Sequence, residues 1–221
     1  MLERLIAVLD SAKIRFEIRV VLDGPDRIAE DQIGQIPDSR LETICLTRNI
    51  GKGGAIRAAS NQIESDYVAF IDADMDLHPY GIVLGVHTLN QSEREIAVAY
   101  GSKVHSNSVV SYPVTRRISS KIFQIYLRFM LGLRVDDSQV GLKVFRSATF
   151  TEAIKECWLN GFAFDIELLS AVHARGMKCV PIPIELNHMF SSTVTLGAVA
   201  RTVFDVLKIR RSTTERQDLK L

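Results

Sequence analysis

Three carboxylates at alternate positions follow a run of apolar β-formers in the segment DYVAFIDADMDLHP, residues 66–79. Side chains alternate along an extended strand, so Asp72, Asp74 and Asp76 can begin on one face where that strand ends. Crowded carboxylates repel one another, and Mg²⁺ or Mn²⁺ relieves the repulsion while bridging substrate phosphates. The other interpretation is a polar turn with solvated aspartates. The buried-looking strand in front of the carboxylates favours the metal site.

A glycine-rich turn, RNIGKGGAIR at residues 48–57, is the second candidate site element. Asn49 and the glycines predict a tight turn between a strand and a helix, with backbone N–H groups at the helix start free to bind an anion. The turn is not a P-loop, because Lys52 is followed by glycine rather than by Ser or Thr. Together with the carboxylates, the turn predicts a site for a metal and a diphosphate.

Strand patterns alternate with helical patterns along the chain. The predicted strands are residues 16–24, 41–47, 66–74, 95–102 and 178–186, of which the last contains prolines and fits an edge or late position. This order predicts an α/β fold with right-handed crossovers and a mainly parallel sheet. Ligands bind at the carboxyl ends of such strands, where Asp23 and the three carboxylates both lie.

Composition limits the classes of function. A chain of 221 residues predicts one domain, over residues 1–211, followed by a polar tail at 212–221. The net charge of +1 gives no reason to expect a nucleic-acid partner. Three scattered cysteines without a CxxC pair fit a reducing compartment and argue against a disulfide framework or a thiolate zinc site. No apolar run reaches the roughly 20 residues of a membrane span, so we expect no crossing of a bilayer by this chain.

Five segments, in their order and separations, resemble the inverting glycosyltransferases of the dolichyl-phosphate mannosyltransferase and dolichyl-phosphate β-glucosyltransferase type. They are RNIGKGGAIRAA, DYVAFIDADMD, YGSK, DDSQVGLKVFR and GFAFDIELL. The C-terminal part, residues 180–211, looks closer to the glucosyltransferases. The resemblance implies a GT-A type, Rossmann-like three-layer fold, a nucleotide-sugar donor, a divalent metal and a polyprenyl-phosphate acceptor.

The resemblance also implies roles for individual residues. The metal ligands would be Asp72 and Asp74, with Asp76 at a position where many relatives carry Gln. The donor-binding residues would be Asp23, Asn49, Lys52, Gly53 and Asp72. Relatives begin with a strand that ends in P-x-Y-N-E, whereas this sequence starts in the helix after it. We expect either a start further upstream or a protein that lacks a central strand and has a hydrophobic slot in its sheet.

Two aspartates are candidates for a catalytic role. Asp165 in GFAFDIELL occupies the position where related enzymes with hydroxyl acceptors carry their base, and Asp137 in DDSQVG competes with it. The alternative for Asp165 is a cap or first-turn residue of a helix, where acidic residues are favoured for backbone reasons. A phosphate acceptor is already an anion at neutral pH, so a strong general base is dispensable.

Residues 115–134 predict a basic amphipathic helix. It carries apolar residues on one side, namely Ile118, Ile122, Ile125 and Phe129, and cations along another. Such a helix can lie in the headgroup plane and meet an acceptor phosphate. Alternatively, it packs on the core and exposes a solvated basic face. The predicted acceptor-binding residues are Arg117, Lys121, Gln139 and Lys143, the last of which could instead be solvated at a strand edge. We expect a cytoplasmic protein, peripheral on the cytoplasmic membrane face.

Two classes of function follow. The first is a metal-dependent enzyme that moves a hexose from UDP-glucose or GDP-mannose to a polyprenyl or dolichyl phosphate. The second is a truncated, non-catalytic relative that acts as a binding or partner subunit. A sugar nucleotidyltransferase would share the fold and the metal, but its glycine-rich signature is missing near Met1.

Overall fold

The computed structural model describes residues 1–74, 76–110, 114–186 and 196–218, with side chains except at 114–118, 196, 198–199 and 214–218. The helices are α1 (Leu2–Ser11), α2 (Arg27–Gly34), α3 (Lys52–Ala59), α4 (Tyr80–Gln91), α5 (Val114–Leu131), α6 (Ser147–Ile154), α7 (Phe164–His173) and α8 (Leu196–Asp218). The strands are β1 (Ile18–Leu22), β2 (Leu41–Cys45), β3 (Tyr67–Ile71), β4 (Ile96–Ser102), β5 (Leu142–Arg146) and β6 (Lys178–Pro183). The predicted α/β class is confirmed.

The strands form two hydrogen-bonded groups. β1 pairs parallel with β2, and a four-stranded sheet has the order β3-β5-β4-β6. β5 is antiparallel to both of its neighbours, whereas β4 and β6 are parallel, so β3, β4 and β6 all point the same way. The strands are thus mainly parallel, as predicted, with β5 as the reversed strand. β6 lies at an edge of its sheet, as its prolines indicated.

Strand β5 is the element that the sequence pattern did not reveal. Its sequence, LKVFR, carries two cations in five residues, yet Leu142, Lys143, Val144 and Phe145 are all buried. A strand between two others, with helices on both faces, is buried on both sides. The prediction that Lys143 meets an acceptor phosphate or is solvated at a strand edge is therefore wrong.

Strands β1 and β3 each have one open edge. Peptide groups that face the partner strand alternate with groups that face away. In β1 the groups of Arg19 and Val21 face away from β2, and in β3 those of Ala69 and Ile71 face away from β5. Within the described part of the chain, these four peptide groups have no hydrogen-bond partner. The open edges fit the expected slot in the sheet, although the absence of a strand stays a prediction.

Helices cover both faces of the four-stranded sheet. On one face, α1 and α4 pack on a cluster that includes Leu9, Leu89 and Leu142. On the other face, α5, α6, α7 and α8 surround a cluster that includes Phe145 and Phe164. The two clusters share the sheet and produce three layers.

The C-terminal helix α8 packs beside α5 and continues through residues 212–218, which were predicted as a polar tail. This segment, STTERQD, has no Gly or Pro to end the helix. None of the helices described is both long enough and apolar enough to span a bilayer.

Candidate functional site

Four charged side chains form a continuous series of ion pairs that joins α3, β3, β5 and α7. The Nζ of Lys52 lies 2.9 Å from Oδ1 of Asp72 and 3.0 Å from Oδ2 of Asp165. The Nζ of Lys143 lies 2.7 Å from Oδ1 of Asp165. Side-chain exposure rises along the series, from 0% at Lys143 and 3% at Asp165 to 22% at Lys52 and 38% at Asp72. A ligand can therefore reach this series only from the Asp72 end.

Asp165 is held as an ion by its two lysine neighbours. Burial alone would raise the pKa of Asp165, but the ammonium groups of Lys143 and Lys52 outweigh burial and hold that pKa below its usual range. A weakly basic carboxylate with both oxygens in ion pairs is a poor proton acceptor. Asp165 lies in the first turn of α7, as the alternative interpretation had it, but it makes no cap hydrogen bond. The geometry speaks against its predicted role as a base.

Asp137 is the more basic of the two candidate aspartates. Its side chain is 13% exposed, and its Oδ2 accepts the backbone N–H of Lys103 at 3.3 Å. Burial raises the pKa of Asp137, while Lys103 and Lys143 oppose the rise. A carboxylate with a raised pKa accepts a proton more readily near neutral pH. Asp137 fits a catalytic role better than Asp165, and that role stays a prediction.

The glycine-rich turn uses its N–H groups internally. Asp23 accepts the N–H of Ile50 at 2.7 Å and that of Gly51 at 2.9 Å. Gly53 donates its N–H to the carbonyl of Asn160 at 2.8 Å. The N–H of Gly53 is therefore not free to bind an anion, and contact of Gly53 with the donor stays a prediction. Asp23 holds the turn in place, and its contact with a nucleotide stays a prediction.

Close packing explains the glycines and orients the residue between them. Gly51 has a φ of +86°, which favours glycine. A Cβ at Gly53 would come within 2.7 Å of the Phe164 ring. The start of α3 is thus pressed against the start of α7, and Lys52 reaches across between them. Asn49 is exposed, and its predicted contact with the donor stays a prediction.

The three carboxylates after β3 do not converge on one point. Asp74 accepts the N–H of Asp76 at 3.1 Å in a local turn, while Asp72 is paired with Lys52. In the described ranges, no three His, Cys, Asp or Glu side chains lie close enough to share a metal ion. The chemistry still fits a divalent cation, because Asp72 already holds a cationic group and the exposed Asp74 adds a hard oxygen ligand.

The start of β5 lies directly against the end of β3. The N–H of Asp72 donates to the carbonyl of Gly141 at 2.8 Å, and a Cβ at Gly141 would collide with the Asp72 carboxylate. Glycine is thus the residue that lets the DDSQVG segment meet the carboxylate segment. Sequence reasoning missed Gly141, although the glycine within that segment was the available signal.

Of the predicted acceptor-binding residues, Lys143 is buried, whereas Gln139 and Lys121 lie at the surface. Gln139 is exposed, and its Nε2 lies 3.5 Å from the carbonyl of Phe162. Lys121 is exposed on α5. The side chains of Arg117 and Ile118 lie outside the described residues. Contact of Gln139 and Lys121 with an acceptor stays a prediction.

Helix α5 exposes apolar residues. Ile122, Ile125 and Phe129, which we call the α5 apolar face, are 63%, 61% and 77% exposed. Their spacing of three and four residues places them on one side of the helix. The helix itself packs on the core through residues such as Leu127, as the alternative interpretation had it, but these three apolar residues do not pack there. Phe204 and Leu207 of the adjacent α8 are also exposed, and apolar surface of this kind is typical of interaction or membrane sites in proteins generally.

Comparison with known sequences gives consistent matches. A family model described as "Glycosyl transferase family 2" matches residues 1–153. The dolichyl-phosphate beta-glucosyltransferase of Saccharomyces cerevisiae is 26% identical over 205 residues, covering 83% of this chain and 60% of its own length. The undecaprenyl-phosphate 4-deoxy-4-formamido-L-arabinose transferase of Edwardsiella ictaluri is 30% identical over 160 residues, covering 71% of this chain and 47% of its own length. The chain thus spans about half to three-fifths of the length of these relatives.

Solved structures match over almost the whole chain. Glucosyl-3-phosphoglycerate synthase from Mycobacterium tuberculosis, in complex with phosphoglyceric acid, has a TM-score of 0.63 at 18% identity. The match covers 96% of this chain and 75% of the synthase chain. The same synthase with Mg²⁺ and uridine-diphosphate has a TM-score of 0.57 at 18% identity, covering 93% of this chain and 83% of its own. At these identities the likeness concerns the fold alone.

Proposed function

The chain belongs to glycosyl transferase family 2, and we propose that it transfers a hexose from a nucleotide-sugar to a polyprenyl phosphate with inversion of configuration. Its fold is of the predicted GT-A type. Relatives named for transfer to dolichyl phosphate and undecaprenyl phosphate support this class of acceptor. UDP-glucose is the first donor to test, because the dolichyl-phosphate relative named above is a glucosyltransferase, and GDP-mannose is the second.

One observation carries the proposal, namely the convergence of Lys52, Asp72 and Gly141 at the carboxyl end of β3. Ligands of α/β proteins bind at this edge of the sheet. Lys52 supplies a positive charge for a diphosphate. Asp72 and Asp74 would hold Mg²⁺ or Mn²⁺, which when bound neutralises charge on the leaving diphosphate.

The remaining chemistry is assigned to residues of the chain itself. Lys52, oriented by Asp165, stabilises negative charge on the leaving group through a pre-positioned ammonium group. An acceptor phosphate attacks the sugar carbon from the side opposite the diphosphate, which inverts its configuration. That phosphate is already an anion, so Asp137 need only take up a residual proton or orient the acceptor.

The α5 apolar face supports a peripheral membrane contact. Its side chains can enter the headgroup region, while the exposed Lys121 and Arg128 attract anionic headgroups. Gln124 of the same helix donates to the backbone carbonyl of Asp136, next to Asp137, and this bond ties the membrane-facing helix to the site. A lipid-linked acceptor could thus reach the site from the membrane surface.

We propose that the protein contacts the membrane on its cytoplasmic face. The three cysteines are unpaired, at positions from exposed to buried, as is usual in a reducing compartment.

A non-catalytic binding subunit is the second candidate function. The open edges of β1 and β3 favour it, because unpaired strand edges readily accept a strand from another chain. In that case the site at the carboxyl end of β3 would bind a donor, but the protein would not transfer the sugar.

Radiolabelled sugar transfer tests these proposals. The chain is incubated with Mg²⁺ or Mn²⁺, with UDP-glucose or GDP-mannose, and with a short polyprenyl phosphate or 3-phosphoglycerate as the comparison acceptor. We expect label to enter the lipid fraction from one donor, and transfer to fall at least about a hundredfold in Asp72→Asn, since small donor misplacement costs that much. Donor binding without transfer to either acceptor would support the binding subunit, and transfer to 3-phosphoglycerate alone would overturn the lipid acceptor.

A further inference from the structure

We propose that Lys52 is a built-in counter-ion that competes with a divalent cation for Asp72, so that cation binding releases Lys52 toward the donor phosphates. The proposal deepens the proposed function, since it assumes that Asp72 is a cation ligand, but it does not require that sugar be transferred.

The two ion pairs of Lys52 are equally short but differ in how firmly the partner is fixed. Asp165 is buried and is also bound by Lys143, so its position is set by the core. Asp72 is much more exposed and follows the end of β3, where solutes can reach it. Lys52 can therefore leave Asp72 while it keeps its contact with Asp165.

Competition arises because both cations need the same oxygen. Oδ2 of Asp72 packs against Gly141, at the place that a Cβ of residue 141 would fill. Oδ1 is the remaining oxygen of this carboxylate, and it is bound to Lys52 at 2.9 Å. A divalent ion that takes Oδ1 would stand beside an ammonium group, and two such charges a few ångströms apart repel strongly at a partly buried site.

The charges of the series also favour an exchange. Two lysines and two aspartates balance one another when no cation is bound. A divalent cation at Asp72 adds two positive charges, so the site then attracts an anion. A nucleoside diphosphate supplies that negative charge, and the released Lys52 can bind it. Cation and donor would therefore bind cooperatively, with Lys52 as the residue that links them.

Mn²⁺ binding without nucleotide, followed by electron paramagnetic resonance, tests the competition. If Lys52 occupies Asp72 about nine-tenths of the time, the apparent affinity of the cation falls about tenfold. We therefore expect Lys52→Met to bind Mn²⁺ about tenfold more tightly than wild type, and Lys52→Arg to stay close to wild type because its cation still competes. With saturating Mn²⁺, Lys52→Met should bind UDP-glucose about tenfold or more weakly. These opposite changes would not result from a damaged site.

Two controls separate competition from other effects. A long-range charge effect is screened at high salt, so the tighter binding of Mn²⁺ by Lys52→Met should persist in 0.5 M NaCl only if the competition is local. In wild type, Mg²⁺ should shift the NMR signals of the Lys52 side-chain terminus and leave those of Lys143 unchanged. Unchanged or weaker Mn²⁺ binding in Lys52→Met, or a gain that disappears in salt, would overturn the proposal even if sugar transfer is found. If Lys52→Met binds Mn²⁺ more tightly as expected but the wild-type protein transfers no sugar, the competition stands and the proposed function is contradicted.

Discussion

The Nζ of Lys143 lies 2.7 Å from Oδ1 of Asp165, and both side chains are shielded from solvent. Neither charge would be tolerated alone at such a site, because removing one partner leaves an uncompensated charge in a medium of low polarity. Lys52 binds the other oxygen of Asp165 from the exposed side. Asp165 is therefore the anchor on which the orientation of both lysines depends.

Asp165→Asn should destabilise the fold strongly. The substitution leaves the ammonium group of Lys143 buried without its ion-pair partner, and breaking such a pair costs ~3–5 kcal/mol of the free energy of unfolding. Lys143→Met should cost less, because Lys52 still compensates the Asp165 carboxylate. Urea unfolding at neutral pH measures both changes.

The exposed pair of Glu152 and Lys155 on α6 provides the matched control. Glu152→Gln breaks an ion pair in water and should leave the urea midpoint unchanged. If Asp165→Asn kept the stability of wild type but lost all sugar transfer, Asp165 would be a catalytic residue and its assignment as an anchor would be wrong.

Asp137→Asn should stabilise the fold at neutral pH while it slows sugar transfer. Because burial raises the folded-state pKa of Asp137, the stability linked to its protonated form is fully present below the ordinary value of 3.8 and is lost as pH rises through the folded pKa. Asn does not ionise, so its advantage in the free energy of unfolding should grow as pH rises from 3.8 through the folded-state pKa of Asp137. Urea unfolding across this window measures the trend, and an advantage independent of pH would contradict it.

Gly141→Ala should weaken binding of the donor and of Mn²⁺. The added methyl group collides with the Asp72 carboxylate, and overpacking of this kind costs ~1–3 kcal/mol. We expect a loss of affinity for UDP-glucose of tenfold or more, measured by calorimetry. Gly161→Ala is the control, since its Cβ would meet nothing within 4 Å. Equal affinities in the two variants would show that Asp72 does not take part in binding.

Local sequence patterns predicted the strands better than they predicted the contacts of the candidate site. Apolar β-formers marked β1, β2, β3, β4 and β6, and the carboxylates follow β3 as the sequence indicated. Strand β5 was not predicted as a buried strand, because Lys143 and Arg146 suggest a solvated strand edge. In the structure Arg146 donates to the carbonyls of Ile96, Leu89 and Ser92, all remote in sequence. A single sequence does not show which remote groups will compensate a buried charge.

The same limit applies to the glycine-rich turn. Its glycines correctly predicted a turn before a helix, but the N–H of Gly53 is taken by the carbonyl of Asn160, more than a hundred residues further along the chain. Asp23 is likewise engaged by Ile50 and Gly51. Tertiary contacts decided which of the predicted binding groups remain available.

Substitution of the α5 apolar face should weaken membrane binding. Changing Ile122, Ile125 and Phe129 to Ser removes the apolar area that would enter the headgroup region, and we expect at least a tenfold loss of liposome binding. Lys121→Ala and Arg128→Ala should each weaken binding to anionic liposomes by about 1 kcal/mol, less at high salt. Co-sedimentation measures both effects.

Ile28 on α2 provides the control, because it is 73% exposed but lies outside the α5 apolar face. Ile28→Ser should leave liposome binding unchanged. Two outcomes would contradict a membrane role of the α5 apolar face: an equal loss of liposome binding in all variants including Ile28→Ser, or liposome binding that depends neither on lipid charge nor on the α5 substitutions. The face would then be a surface for another partner.

The open edges of β1 and β3 should appear in amide hydrogen exchange as an alternation along each strand. In β1 the amide of Val20 faces β2, whereas those of Arg19 and Val21 face away, so Val20 should exchange slowly and its two neighbours rapidly. In β3 the amides of Ala69 and Ile71 should likewise exchange rapidly.

Strand β5 provides the internal reference for this experiment. It pairs on both sides, so consecutive amides such as those of Lys143 and Val144 should all be protected. Continuous protection of the amides along β1 and β3 at every protein concentration would show that the edges of these strands are not open. Protection that appears only as the concentration rises would show that the edges pair between copies, since an unpaired strand edge is a template for another chain. A peptide that pairs with the open edge of β1 should slow exchange at Arg19 and Val21, and one that pairs with the open edge of β3 should slow exchange at Ala69 and Ile71.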